Sequence, residues 1–344
     1  MSPELMPAAV YVGDGRIEVE EVPRPEPGPG EVLVEITACG ICGSDLHMVL
    51  ERYARPGSIL GHEWSGVVAA ASSDSGWSPG DRVVGNAAPG CGVCRPCRRG
   101  RPSVCLQRAS ADFGGYRGAF CRYKTAAADN LVRVPDALAT RPAALAEPTA
   151  ITLHALRLAD VRPGDRVLVT GAGPVGLLII AVLRAQGIDD ITVSEPSAVR
   201  RQQALDVGAA RVVAPDSLEP PPMTLPVAAP FAVAFECSGH ASAAEAALGQ
   251  LDYAGTLVIV GTGFEPPRFN QNRLIIFELE VIGAYNYNDE GFGPAVELLG
   301  SGTLPLQALM EPEDIPLSGV MDAMERLARG EIPSKVMVQP GLAT

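Results

Sequence analysis

The chain has 344 residues, of which 47% are hydrophobic and 19% charged, and a formal net charge of −13. That length exceeds what one core comfortably serves and predicts two domains, while the composition excludes a disordered chain. The negative charge argues against broad contact with nucleic-acid phosphates or anionic membranes, and the longest apolar run, VGLLIIAVL (Val175 to Leu183), is too short to span a bilayer.

At the N-terminus, MSPELMPAAV lacks a charged-then-apolar leader pattern, so a cytoplasmic protein with reduced thiols is expected. Strand-like runs such as EVLVEIT and SGVVAAA, separated by Pro- and Gly-rich turns, predict a compact all-β module. Among them lie ACGICGSDLH (Ala38 to His47) and LGHEWSG (Leu60 to Gly66), which contribute Cys39, Cys42, His47, His62 and Glu63. A catalytic zinc takes three protein ligands of these sulfur, nitrogen and oxygen types and keeps one position vacant. The glycines at 40, 43 and 61 let the backbone bend closely around such a centre. The residues alone do not choose between Cys39 and Cys42, since either cysteine can be a small buried hydrophobe. His154 and His240 lack metal-like neighbours and read as ordinary structural residues.

Next comes CGVCRPCRRGRPSVC, with Cys91, Cys94, Cys97 and Cys105 in the pattern C-x2-C-x2-C-x7-C. Four thiolates close a tetrahedral shell around zinc and leave no room for water or substrate, so this site is expected to be structural. The spacing lacks the final C-x3-C-P of bacterial ferredoxins, and a redox Cys-x-x-Cys leaves two neighbouring thiols unexplained. The prolines and glycines around the cysteines sustain neither helix nor strand, so the metal must order the loop. Arg95, Arg98, Arg99 and Arg101 read as a solvated loop face, and no ββα or ribbon pattern follows to suggest a nucleic-acid module.

Around Val167 the pattern changes. RVLVTGAGPVGLL reads as strand, glycine turn and helix start, with Gly171, Gly173 and Gly176 in the G-x-G-x-x-G spacing that brings backbone close to a pyrophosphate; Pro174 and Val175 open the helix. DITVSE ends at Glu195, 24 residues beyond Gly171, where a carboxylate accepts hydrogen bonds from an adenosine ribose and repels a 2′-phosphate; NAD is therefore favoured over NADP. RVVA, FAVAFE, TLVIV and EVIGA complete six candidate strands, so this half is expected to be a doubly wound parallel α/β Rossmann domain. Ala241 to Leu251 reads as a connecting helix, whereas APDSLEPPPMTLPVAAP holds too many prolines for one and predicts an irregular third crossover.

Taken together, G-I-C-G-S-D-L-H, then G-H-E, then the four-cysteine lobe resemble the zinc-dependent medium-chain alcohol dehydrogenases, the group that includes sorbitol, butanediol and threonine dehydrogenases. The likeness covers essentially the whole chain. It implies a chaperonin-10-like (GroES-like) catalytic domain over residues 1–148, an NAD-binding domain over 149–290 and a return to the first domain over 291–344, with the active site in the cleft between them. It selects Cys42 and His62 as zinc ligands, leaves Cys39 as packing, and places Glu147 of ALAEPTA at the third position, with Glu63 a competing or alternating ligand. Asp45 becomes the carboxylate that orients His62, Ser44 the hydroxyl that relays the alcohol proton and His47 its exit. Arg200 corresponds to a basic residue that touches the ribose, and Lys335 to one near the cofactor phosphates. The Arg-Tyr pair of the polyol enzymes is represented by Asn286 and Tyr287, and Trp64 stands where Phe is usual; these three are the candidate substrate residues.

The resemblance therefore implies two zinc ions per chain, NAD, hydride transfer to or from a small alcohol or ketone, and a homotetramer or homodimer. A zinc-free quinone or enoyl reductase on the same fold lacks both metal constellations. A catalytically silent NAD-binding or structural protein has no need for Cys42, Ser44, His47, His62 and Glu147 together.

Overall fold

A computed structural model describes residues 4–85, 90–109 and 117–342. The six apolar runs of the second half form one parallel sheet in the order Arg211–Val213, Ile191–Ser194, Val167–Thr170, Phe231–Glu236, Leu251–Ile259 and Glu280–Gly283. This is the 3-2-1-4-5-6 order of a doubly wound dinucleotide fold, with its crevice at the carboxyl ends of the first and fourth strands. Helices on both faces bury the central strands, which is why Val167, Leu168 and Val169 form an unbroken apolar run. The helix Pro174–Ala185 buries every residue from Gly176 to Val182 and Leu183 against that sheet. Each such Leu or Ile contributes roughly 1.5–3 kcal/mol.

The third crossover holds one short turn, Pro215–Ser217, and no helix. A buried arginine anchors the loop: Arg273 donates to the carbonyl oxygens of Pro222 (2.9 Å) and Gly249 (2.8 Å). The expected Ala241–Leu251 helix ends at Gly249, because Leu251 already opens the next strand and pairs with Phe231.

In the first half the hub is the strand Glu31–Gly40. It pairs antiparallel with Glu63–Ala71, Tyr123–Ala127 and the returning Met337–Val338, while Arg82–Gly85 and Leu131–Arg133 extend the sheet beyond Glu63–Ala71. A three-stranded sheet of Arg16–Pro23, Leu5–Gly13 and Ser58–Ile59 packs beside it. The expected domain limits at 148/149 and 290/291 fall inside the helices Ala146–Ala159 and Asp289–Gly300, and these two helices pack against each other. Among the described residues no helix is long and apolar enough to cross a membrane.

Candidate active site

Cys42 ends the extended chain leaving the hub strand and stands as N-cap of the helix Gly43–Leu50. One residue inside that helix organises the neighbourhood. Asp45, 2% exposed, accepts a hydrogen bond from the Cys42 N–H (3.0 Å) and another from the Gly61 N–H (3.3 Å), and its Oδ1 lies 3.5 Å from His62 Nδ1. A single carboxylate thus fastens the GICGSD turn to the LGHE turn. Gly61 sits at φ +89°, with Phe120 and the Cys39 sulfur where a side chain would go, so the turn that presents His62 needs glycine. Cys39 is fully buried and packs behind the turn, as the resemblance implied.

The ligand atoms of Cys42, His62 and Glu63 lie within 4.8 Å of one another. With Nδ1 turned to Asp45, His62 has Nε2 3.5 Å from the Ser44 hydroxyl. Burial opposes the His62 cation, but Asp45 and Cys42 outweigh it and hold this imidazole well above its ordinary value. Glu63 is not free. Lys335, 1% exposed, lies 2.6 Å from one Glu63 oxygen, donates to the other at 2.8 Å and also donates to the Ile41 carbonyl. Burial opposes the Lys335 charge too, and Glu63 reverses the effect, so this ammonium is raised above the usual lysine value.

Glu147, in the first turn of Ala146–Ala159, is 6% exposed, and burial, opposed by His62 and reinforced by Glu63, pushes its carboxyl up to about 7. Asp45, Glu63 and Glu147 are three buried carboxyl groups around one lysine and one imidazole. That excess of buried acid, beside a cysteine, suits a divalent cation of the zinc type.

Cys42 borders a cleft of about 910 Å³ that also takes in Gly171, Gly173, Glu195, His47 and Lys335, while His62 and Glu63 stand behind it and Glu147 lies outside the group of three converging ligands. Gly176 lies so close to Gly171 that a Cβ would fall 2.1 Å from its carbonyl oxygen, whereas a Cβ on Gly173 meets nothing within 4 Å. The turn is therefore tight behind and open in front, the shape a pyrophosphate requires at a helix N-terminus. Glu195 braces it: its oxygens accept from the N–H groups of Ala172 and Ser197, both at 2.8 Å.

Arg200 borders the cleft, but its guanidinium donates to the carbonyls of Leu327 (2.9 Å) and Ile332 (3.2 Å), tying the nucleotide half to the returning chain. Lys335, expected near cofactor phosphates, is directed to Glu63.

Cys91, Cys94, Cys97 and Cys105 also converge within 4.8 Å. Cys91 and Cys97 sulfurs are 4.0 Å apart, and those of Cys94 and Cys105 are 3.9 Å apart. A tetrahedron with Zn–S bonds of about 2.3 Å has edges of about 3.8 Å, so the spacing fits a closed zinc shell and is far too long for disulfides. The lobe touches the other half where the Ser103 N–H donates to Asn288 Oδ1 at 3.2 Å.

Two substrate candidates lie in cores, away from the cleft. Side chains alternate along a strand, so with Glu63 turned to Lys335 the next residue, Trp64, faces the opposite side. There it is 4% exposed and lies flat on Gly85 beneath Lys124. Tyr287 is 1% exposed and packs on Phe292, 5.5 Å between ring centres. Asn286 adopts φ +57°, a left-handed conformation asparagine tolerates, in the loop leading to the helix Asp289–Gly300. His240, read from sequence as an ordinary structural residue, instead lines the cleft at the start of the helix Ala241–Gly249. His154 is buried within Ala146–Ala159, where burial, then Arg101 and Arg157, depress its basicity.

Residues 28–136 match the alcohol dehydrogenase GroES-like domain family, and residues 174–301 match the zinc-binding dehydrogenase family. The chain is 32% identical to sorbitol dehydrogenase of Bacillus subtilis (strain 168), an alignment that covers 98% of each protein. Among solved structures it superposes on galactitol-1-phosphate dehydrogenase from Escherichia coli with a TM-score of 0.86 at 28% identity, covering 97% of this chain and 100% of that one. A zinc-binding dehydrogenase from Sinorhizobium meliloti 1021 bound to NADP also gives 0.86 at 28% identity, covering 98% and 100%. The two sheets, the glycine cradle and these matches agree, and the chain belongs to the zinc-dependent medium-chain alcohol and polyol dehydrogenases.

Proposed function

We propose that this enzyme oxidises a secondary alcohol of a diol or polyol-like small molecule, or reduces the corresponding ketone, with NAD as hydride partner. The observation that carries the proposal is the convergence of Cys42, His62 and Glu63, with Cys42 lining the cleft that also holds the open face of Gly173. Zinc held there supplies a Lewis acid, and the nicotinamide supplies the hydride acceptor. Glu147 is our choice of third ligand, because Lys335 already neutralises Glu63. Asp45 fixes the tautomer and tilt of His62. Ser44 receives the alcohol proton, and His47, 2.5 Å from Glu51 at the helix end, delivers it to solvent. Glu195 takes the adenosine ribose and disfavours a 2′-phosphate.

The four-cysteine lobe holds a second, structural zinc. The parallel sheet ends at the edge strand Glu280–Gly283, close to exposed Ile275, Ile276 and Val281, and this edge supports assembly as a homodimer or homotetramer. Asn286 in place of an arginine directs the choice of alcohol away from sorbitol itself.

The test is metal content per chain followed by a screen of alcohols, diols and polyols with NAD and NADP, read by nicotinamide absorbance. Two zinc ions and NAD-linked oxidation are expected. A fully loaded protein with zinc only in the cysteine lobe, or one that turns over no alcohol with either nucleotide, would sink the proposal.

A further inference from the structure

The two halves also meet at the mouth of the cleft, through rings that take no part in the chemistry above. Phe264 belongs to the loop that follows the strand Leu251–Ile259 in the nucleotide half. Tyr53 belongs to the turn after the helix Gly43–Leu50 in the other half. Their rings are stacked, 4.8 Å between centres and 18° between planes, and Phe264 meets the His47 ring edge-on at 5.4 Å and 79°. Phe264 is 59% exposed and Tyr53 54%. Two large rings that stand mostly in water gain by covering each other, and they do so only when the halves are this close.

The base of the Phe264 arm is fixed. A Cβ on Gly263 would fall 1.8 Å from the Gly239 carbonyl oxygen, and one on Gly261 would fall 2.3 Å from the Gly239 nitrogen, so the loop is pressed onto the segment beside His240. The arm therefore projects from a rigid seat toward the opposite half.

We propose that Phe264 is a positioning residue for the dehydrogenase reaction: stacked on Tyr53, it fastens the nucleotide half over the cleft and holds the His47 ring at the exit. This rests on the cofactor and proton-exit roles proposed above. An aromatic pair of this geometry shifts the closed-to-open ratio roughly twofold to tenfold, and a dinucleotide held in the cleft leaves faster as the open fraction grows.

The test is stopped-flow release of NADH, followed by nucleotide fluorescence, in the zinc-loaded enzyme and its variants Phe264→Ala, Tyr53→Ala, the double variant and Phe264→Tyr. Both rings are at the surface, so their truncation leaves the cores intact. Each single alanine variant should release NADH about two- to tenfold faster, and the double variant no faster than either single. Phe264→Tyr should restore the parental rate. Release unchanged in Phe264→Ala, or single effects that multiply in the double variant, would overturn the latch while leaving the cofactor reading standing. A parental enzyme that binds no NADH would overturn both.

Discussion

The two proposed metal sites are built in opposite ways. Cys91 to Cys105 lie within fifteen residues of one another, half-exposed for the most part, in a loop with no sheet pairing of its own. Cys42 and the pair His62 and Glu63 come from separate segments and are gathered by the packed sheet, Asp45 and Lys335, with Glu147 contributed from a third segment, the helix Ala146–Ala159. The first arrangement needs its metal to exist as a loop. The second is shaped before any metal arrives, and its uncompensated acid is the driving force for taking one. A local site can be closed and structural, whereas a site assembled from distant elements can leave one side open to a cleft.

The contrast breaks most sharply in a pair of variants. Cys42→Ala should lose one zinc per chain and lower turnover on the order of a thousandfold while the protein stays folded, because the packed sheet, Asp45 and Lys335 shape that site without the ion. Cys97→Ser should also lose one zinc, but should lower the melting temperature while surviving folded enzyme still turns over. Metal analysis, calorimetry and steady-state rates on both proteins check this, and an exchange of the two phenotypes would reverse our assignment.

Lys335→Met tests how far the open site is prebuilt. It leaves Glu63 buried without its partner, and about 3–5 kcal/mol of stability should be lost on denaturant unfolding. Glu63 and Lys335 replaced together by residues of similar volume should recover much of that loss.

Glu147 gives the site a pH signature. Its carboxyl stands near 7 in the folded metal-free chain and ordinarily near 4.5, so burial favours the protonated form. The stability associated with neutral Glu147 is complete below about pH 4.5 and is lost as pH rises through about 7. Metal-free protein should therefore lose stability between pH 5 and 8 relative to Glu147→Gln, by about 3 kcal/mol. Bound zinc should reverse the trend, because it stabilises the ionised carboxylate. Denaturation at several pH values, with and without zinc, reads both slopes.

Asp45→Asn is the mildest change. It keeps the shape of the turn but weakens the orientation of His62, and zinc affinity at the open site should fall about ten- to a hundredfold while the cysteine lobe keeps its own ion. Competition with a chromogenic chelator measures the two sites separately.

The same division between local and distant explains what could be read from the chain. The lobe, the glycine turn and the six strands are written in short spacings, and each stands where its pattern placed it, although the lobe, expected to sustain no helix, forms short helical turns at Arg95–Arg98 and Pro102–Val104, each opened by a proline in its first turn. Even the missing third helix was visible in the prolines between Ala214 and Pro230. Cys42, by contrast, needed a family likeness to be singled out from Cys39, because only the folded sheet shows which sulfur faces the cleft and which the core.

The contacts that only the fold shows are also non-local. Trp64 looked like a pocket residue until strand alternation turned it to the far side of Glu63, and Tyr287 until Phe292 covered it. Arg200 and Lys335 are basic residues in expected places, yet their partners are carbonyls and Glu63 contributed by segments far along the chain. No spacing within a segment encodes a contact with a segment more than a hundred residues away.

The chain enters and leaves the nucleotide half through two helices that lie side by side, Ala146–Ala159 and Asp289–Gly300. A module whose two ends are neighbours can be lifted out and replaced as a cassette, as in domain grafting. Here the graft has a fixed upstream limit. Glu147 rides on the first of those helices, so a transplant that begins before it carries away a carboxylate of the proposed metal centre, and one that begins after it leaves that carboxylate in place.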